Sequence, residues 1–223
     1  LLKVKEMYPM IAFWCVGCIL FQIIMSSSVF YCMYYLMNPG LIATYMLVIS
    51  ISGMVGVMVL MPILLRKVKG SMKKAVTFTQ VIACVCYLIL FFVGGSIPAL
   101  YILTFIACMF STMTNAFRPM TVFGMTDYVY KTTGEQLNGT ISAIGGFSYK
   151  CGTAISNAIL AGVLAATGYI ANAIGQEPEA VLIGINSVRF LVPLAASVLY
   201  IIFIQFYPEK KMQELTANSE KAN

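Results

Sequence analysis

The sequence predicts an all-α integral membrane protein of six transmembrane helices, with both termini cytoplasmic. Three observations carry this. Of 223 residues, 60% are hydrophobic and only 10% are charged, against about 25% charged in a soluble domain. The charges are segregated: none falls between Met7 and Leu65, none between Ala75 and Phe117, and only Arg189 between Ala180 and Pro208. Such runs exceed the roughly 20 apolar residues that a spanning helix needs. Finally, lysine and arginine occupy alternate loops, which fixes an orientation as well as a fold.

Breakers and charges divide the chain into elements. The first span is expected over Tyr8–Leu36, ending at the turn Asn38-Pro39-Gly40. The second covers Leu41–Leu65, and the third Ala75–Val93, stopped by Gly94-Gly95-Ser96. The fourth covers Pro98–Phe117, the fifth Asn138–Gly168 and the sixth Val181–Tyr207. Residues 1–208 are therefore read as one six-helix unit. Residues 209–223 are read as a polar, solvated and partly disordered cytoplasmic tail.

Lys3 and Lys5 precede the first span, and Arg66, Lys67, Lys69, Lys73 and Lys74 fill the loop between the second and third. Arg118 and Lys131 flank the expected loop between the fourth and fifth, and Lys210, Lys211 and Lys221 lie in the tail. The remaining loops carry no lysine or arginine, and one holds Glu177 and Glu179. This is the positive-inside pattern. Leu1–Glu6 runs straight into a full-length span, which argues against a cleaved leader, and the chain reads as a piece of a longer protein.

Composition excludes several chemistries. Seven cysteines lie inside apolar runs, where they behave as small hydrophobes, and there is no histidine. The Cys15-x-x-Cys18 pair has no second pair at zinc spacing, so no metal site is expected. A rhomboid-like serine protease would need a histidine to pair with its serine, and the sequence has none. No enzyme activity, cofactor or nucleic-acid partner is expected, and the bilayer is the first partner.

Lys150 is the exception to the charge segregation. It is the only charge between Gln136 and Gln176, well inside the fifth span. A charged side chain at mid-bilayer costs from about 2.5 to more than 10 kcal/mol, so such residues face a protein interior or a water-filled path. Ser142, Gly146, Lys150, Ala154, Ala158, Gly162 and Ala166 share one i+4 ridge, small except for the lysine, as close helix approach in membranes requires. Ala143, Phe147, Thr153 and Asn157 flank it on the same face. The bulky Ile141, Ile155, Ile159 and Val163 are expected to face lipid. The eight acidic residues all fall in expected loops or ends. Lys150 therefore meets water, a ligand, or a carboxylate supplied from elsewhere.

The stretch Asp127-Tyr128-Val129-Tyr130-Lys131-Thr132-Thr133-Gly134, with Gly139 and Phe147-Ser148-Tyr149-Lys150-Cys151-Gly152 after it, resembles the glycoside–pentoside–hexuronide:cation symporters of the major facilitator superfamily. Tyr34-Tyr35 before Asn38-Pro39, Gly168-Tyr169, Pro193 and Phe206-Tyr207-Pro208 extend the likeness over nearly the whole chain. The resemblance implies the C-terminal six-helix half of a twelve-helix carrier in a bacterial cell membrane. It further implies a sugar, glycoside or uronic acid as substrate, and a coupling cation (sodium or proton) held by the N-terminal half. Lys150 would be that family's helix-eleven lysine at the sugar and cation site between the halves. The sequence departs from the family around Asp127, where Gly124, Val129, Gln136 and Asn138 stand in place of further charges.

On these grounds Lys150, Phe147, Thr153, Asn157 and Tyr31 are candidate substrate contacts. Tyr31, Tyr34 and Tyr35 also suit an interfacial aromatic belt. Arg118 and Asp127 are candidate gating residues, with lipid-phosphate anchoring as the alternative for Arg118; Gln22 is a further possible lining residue. Arg189, about two turns into the sixth span, is expected to snorkel outward. The competing function is a six-span channel or binding component acting as an oligomer, which composition permits although no filter-like loop is seen.

Overall fold

The computed structural model describes residues 4–93, 96–170 and 178–222, with side chains through 215. Lys3, the Gly94-Gly95 stop and Glu177 lie outside the described residues, as does the side chain of Lys221. Among the described residues all regular structure is helical, and six helical segments are long and apolar enough to cross a membrane. Helices are the expected solution in lipid, where each backbone N–H and C=O must be satisfied inside its own segment.

The first span is α1 (Met7–Phe30), finished by a π-helical turn at Tyr31–Tyr35. The second is α2 (Leu41–Val55), a π-helical turn at Gly56–Leu60, and α3 (Met61–Lys67). Then come α4 (Met72–Val93), α5 (Ile97–Ser111), α6 (Thr114–Thr133), α7 (Asn138–Thr167), α8 (Glu179–Ile204) and α9 (Glu209–Ala222). Pro98 sits in the first turn of α5, where its missing N–H costs nothing. Gly134 and Gly168, at φ 73° and 81°, close α6 and α7 in the left-handed conformation that favours glycine.

The fourth span is longer than expected. Ile97–Thr133 is 37 residues interrupted only at Thr112–Met113. At 1.5 Å per residue it measures about 55 Å, well beyond a hydrocarbon core of about 30 Å. The stretch from Arg118 to Lys131 is therefore the continuation of α6 and not a loop, and Asp127 lies on a helix. The charge at Arg118 interrupts the apolar run without ending the helix.

The tail is helical from Glu209 to Ala222. Glu209 accepts hydrogen bonds from the Ser71 hydroxyl and the Met72 backbone N–H, both at 3.1 Å, and so caps the start of α4. Met212 and Leu215 pack on the hydrophobic core. Lys211 pairs with Glu6 at 2.6 Å, placing the two ends of the chain on one side of the bundle. That hydrogen bond holds the Glu6 carboxyl below its ordinary value of 4.5.

The core forms around α1, which packs most extensively on α7 and α8, while α4 joins α8 to α5. Phe13 stacks on Tyr200 with ring centroids 4.0 Å apart, beside Gly17, where a Cβ would come within 2.8 Å of the Tyr200 ring. Trp14 is fully buried and donates its indole N–H to Thr121 Oγ1 at 3.0 Å, tying α1 to α6.

Arg189 does not snorkel. It is fully buried, donates to the Tyr45 hydroxyl at 2.7 Å, and lies 5.4 and 5.2 Å from the ring centres of Tyr45 and Phe190. Tyr45 in turn shares a hydrogen bond with Thr104 at 3.0 Å. The guanidinium finds its polar partner in Tyr45 of α2, while its Nε–H and one amino group are buried without a hydrogen bond.

Candidate functional site

The site is built on α7, which carries two contrasting faces. Ile141, Gly145, Ser148, Gly152, Ser156, Leu160 and Leu164 form its buried ridge. Gly152 permits the closest approach: a Cβ there would stand 2.5 Å from the Cys15 carbonyl oxygen and 2.7 Å from Cys18 Cβ. Gly145 faces Trp14 and Val122 in the same way. Ile141 is therefore buried at the α7 contact and does not face lipid. Ile159 and Val163 pack against the core as well, and of the four bulky residues only Ile155 is exposed.

The other face is uncovered. Ser142, Gly146, Lys150, Ala154, Ala158, Gly162 and Ala166 are all exposed, and no neighbouring atom lies within 4 Å of a Cβ built at Gly146 or Gly162. Phe147 (67% exposed) and Asn157 share this face with Lys150. From Asn138 to Lys150 is about 18 Å along the helix axis, and the far end is farther. Lys150 makes no hydrogen bond or ion pair among the described residues. The sequence places it against other helices; within these six helices nothing covers it.

The remaining candidates separate from this face to differing degrees. Thr153 lies on its shoulder, donating to the Tyr149 carbonyl at 3.1 Å and lying 3.3 Å from the Cys18 sulfur at the α1–α7 contact. Tyr31 is fully buried, stacked on Tyr35 at 4.7 Å and edge-on to Phe190 at 5.3 Å, at the far end of α1. Its neighbour Tyr34 shares a 2.7 Å hydrogen bond with the Tyr169 hydroxyl. Gln22 is half-buried on α1.

Arg118 and Asp127 do not meet. Nine residues apart on α6, they are separated by about 13 Å of helix. Asp127 pairs with Lys131 at 2.8 Å, one turn on and partly exposed. Arg118 lies over the Tyr149 ring, 4.8 Å from its centre, with its Nε–H buried and unpaired. Tyr149, which sequence reasoning did not single out, thus links α6 to the residue before Lys150. A repeated Arg–aromatic contact has no spacing signature when the partners lie on different helices.

A second opening, a groove of about 360 Å³, runs between Phe21 and Met25 of α1, Ser50, Gly53 and Val57 of the second span, and Thr112 with Asn115. Its walls are mainly apolar. Among the described residues no three of Cys, Asp and Glu gather closely enough to hold a metal ion.

Six helical segments long and apolar enough to cross a membrane define a multi-pass membrane protein. The chain belongs to the MFS/sugar transport protein family, whose match covers residues 2–211. It is 30% identical over 208 residues to the glucuronide carrier protein homolog of Escherichia coli K12, covering 90% of this chain and 45% of that protein. It is also 28% identical over 200 residues to the uncharacterized symporter YnaJ of Bacillus subtilis 168, covering 87% of this chain and 42% of that protein. The chain thus spans a little under half the length of these relatives. The family is one of transport proteins, not enzymes.

Proposed function

We propose that this chain acts as one six-helix half of a cation-coupled carrier for a sugar, glycoside or uronic acid in a bacterial cell membrane. The observation that carries this reading is the exposed Lys150 face of α7. An uncovered lysine about 18 Å from the nearer helix end cannot be left against hydrocarbon at the costs above. A second six-helix unit facing α7 would cover the small ridge and leave Lys150, Phe147 and Asn157 on a polar cleft. Rocking of the two units about that cleft would then expose it alternately to either side.

Within such a cleft, an ammonium supplies three N–H donors and a fixed positive charge. It would donate to sugar hydroxyls, or pair with the carboxylate of a uronic acid through a charge-assisted hydrogen bond. Phe147 offers an exposed ring face for the apolar side of a pyranose. By the family resemblance, the ligands for a coupling cation would come from the other unit. The glucuronide carrier name of the Escherichia coli relative favours an anionic sugar.

The test is uptake of radiolabelled glucuronide by cells making the full-length protein. Lys150→Ala should reduce uptake at least tenfold with the protein present in the membrane at wild-type amount, and Lys150→Arg should restore part of it. Uptake unchanged by Lys150→Ala would overturn the assignment.

A further inference from the structure

A cavity lies where the loop after α3 meets the junction of α8 and α9. Its volume is about 700 Å³, and its lining includes Lys67, Lys69, Lys73, Lys74 and Lys210. Five like charges around one cavity repel one another unless an anion joins them. Glu209 is the one acid in the lining, and its two oxygens are taken by Ser71 and by the Met72 N–H at the start of α4. Lys73 donates to the Gln205 carbonyl at 2.7 Å. Lys67, Lys69, Lys74 and Lys210 have no ion-pair partner among the described residues.

The backbone adds a second, independent sign. Lys69 adopts φ 53°, a left-handed conformation uncommon outside glycine, directly before Gly70 at φ 75°. Strain of this kind persists where the surroundings fix it, and it clusters at ligand clamps. Here the Gly70 N–H bonds back to the Leu65 carbonyl at 2.8 Å, closing the turn that presents Lys69 to the cavity. Capping of α4 by Glu209 seats α9 as the opposite wall. Clustered lysines near a membrane face are sufficient for attraction to anionic lipid in general; a half-open pocket walled by two docked elements is more selective.

We propose that this cavity binds a phosphate-bearing anion, with Lys67, Lys69, Lys74 and Lys210 as its charge partners and the Gly70 turn as its rim. The phosphate belongs either to the headgroup of an anionic phospholipid or to a small soluble phosphate compound. The site lies at span ends, where both are within reach. It stands whichever solute the carrier moves.

The experiment uses the full-length protein. Retention of phosphatidylglycerol is followed by native mass spectrometry after extraction from nanodiscs of phosphatidylcholine with and without that lipid. Inorganic pyrophosphate is titrated separately in a thermal-shift assay. A lysine near an anionic surface is worth about 1 kcal/mol, which converts to about fivefold in affinity. Lys69→Gln should therefore weaken binding about fivefold, and Lys69→Gln/Lys74→Gln/Lys210→Gln on the order of a hundredfold, while Lys5→Gln leaves it unchanged. Melting temperatures in phosphatidylcholine alone establish that the variants remain folded. Saturable lipid retention lost in the triple variant supports a headgroup site; a saturable pyrophosphate shift lost in the triple variant supports a soluble ligand. A response to neither probe, or equal weakening by Lys5→Gln, would overturn the site.

Discussion

Substituting Gly152 by alanine tests the crossing that positions the whole α7 face. The added Cβ would stand 2.5 Å from a backbone carbonyl oxygen of α1 and 2.7 Å from Cys18 Cβ. Neither obstacle is the flexible end of a side chain, so α1 and α7 must separate. Overpacking of this kind costs about 1–3 kcal/mol, and a backbone obstacle belongs at the upper end. Alanine gains about 1 kcal/mol over glycine in helix propensity, leaving a net loss of about 2 kcal/mol. For a chain of this size each kcal/mol moves the melting temperature by about 2–4 °C, so Gly152→Ala should melt about 4–8 °C lower. Gly146→Ala, six residues away on the uncovered face, meets nothing within 4 Å in this unit and should lower the melting temperature less than Gly152→Ala. Both are read by thermal unfolding of the purified protein in one detergent. A Gly152→Ala protein at least as stable as wild type would refute the α1–α7 geometry.

Two further perturbations address other parts of the fold. Tyr45→Phe removes the hydroxyl that accepts from buried Arg189 and bonds Thr104, leaving another buried donor unpaired; thermal unfolding should show a loss of about 1–3 kcal/mol. Glu6, whose carboxyl is held below 4.5 by Lys211, contributes stability that is complete above that value and lost as the pH falls through its depressed value. Hydrogen exchange of α9 should therefore accelerate as the pH falls below 4.5, by the small amount expected of a solvent-exposed ion pair. Exchange insensitive to pH over that range, after correction for intrinsic rates, would sink the docking role of this pair.

The spans were legible wherever charge and turn residues bracket an apolar run. Asn138 and Gly168 bound α7 to within a residue, and Asn38-Pro39-Gly40 ends the first span as expected. What the sequence hid lies mainly where charges interrupt apolar runs. The part of α6 after Arg118 mixes charged with apolar residues and α9 is mostly polar, so hydropathy marks neither as a helix. The burial of Arg189 is not legible in the sequence because Tyr45, which accepts its hydrogen bond, is 144 residues away, and only packing brings the two together. On α7 two small-residue ridges compete. The ridge through Gly146 and Lys150 is the more uniform in sequence, yet the six helices use the one through Gly145 and Gly152 and bury Ile141 with it. The family likeness, by contrast, was carried by contiguous residues from Asp127 to Gly152 and needed no three-dimensional information.

Whether the Lys150 face borders water or lipid is the question on which the functional account turns. Lys150→Cys is introduced into the full-length protein with its other cysteines replaced, and labelling is measured in membrane vesicles with a charged, water-soluble thiol reagent. A cleft between two helical units predicts labelling, slowed when a transported glucuronide is added. A thiol that stays unlabelled while the protein still transports would place this face against hydrocarbon and contradict the account.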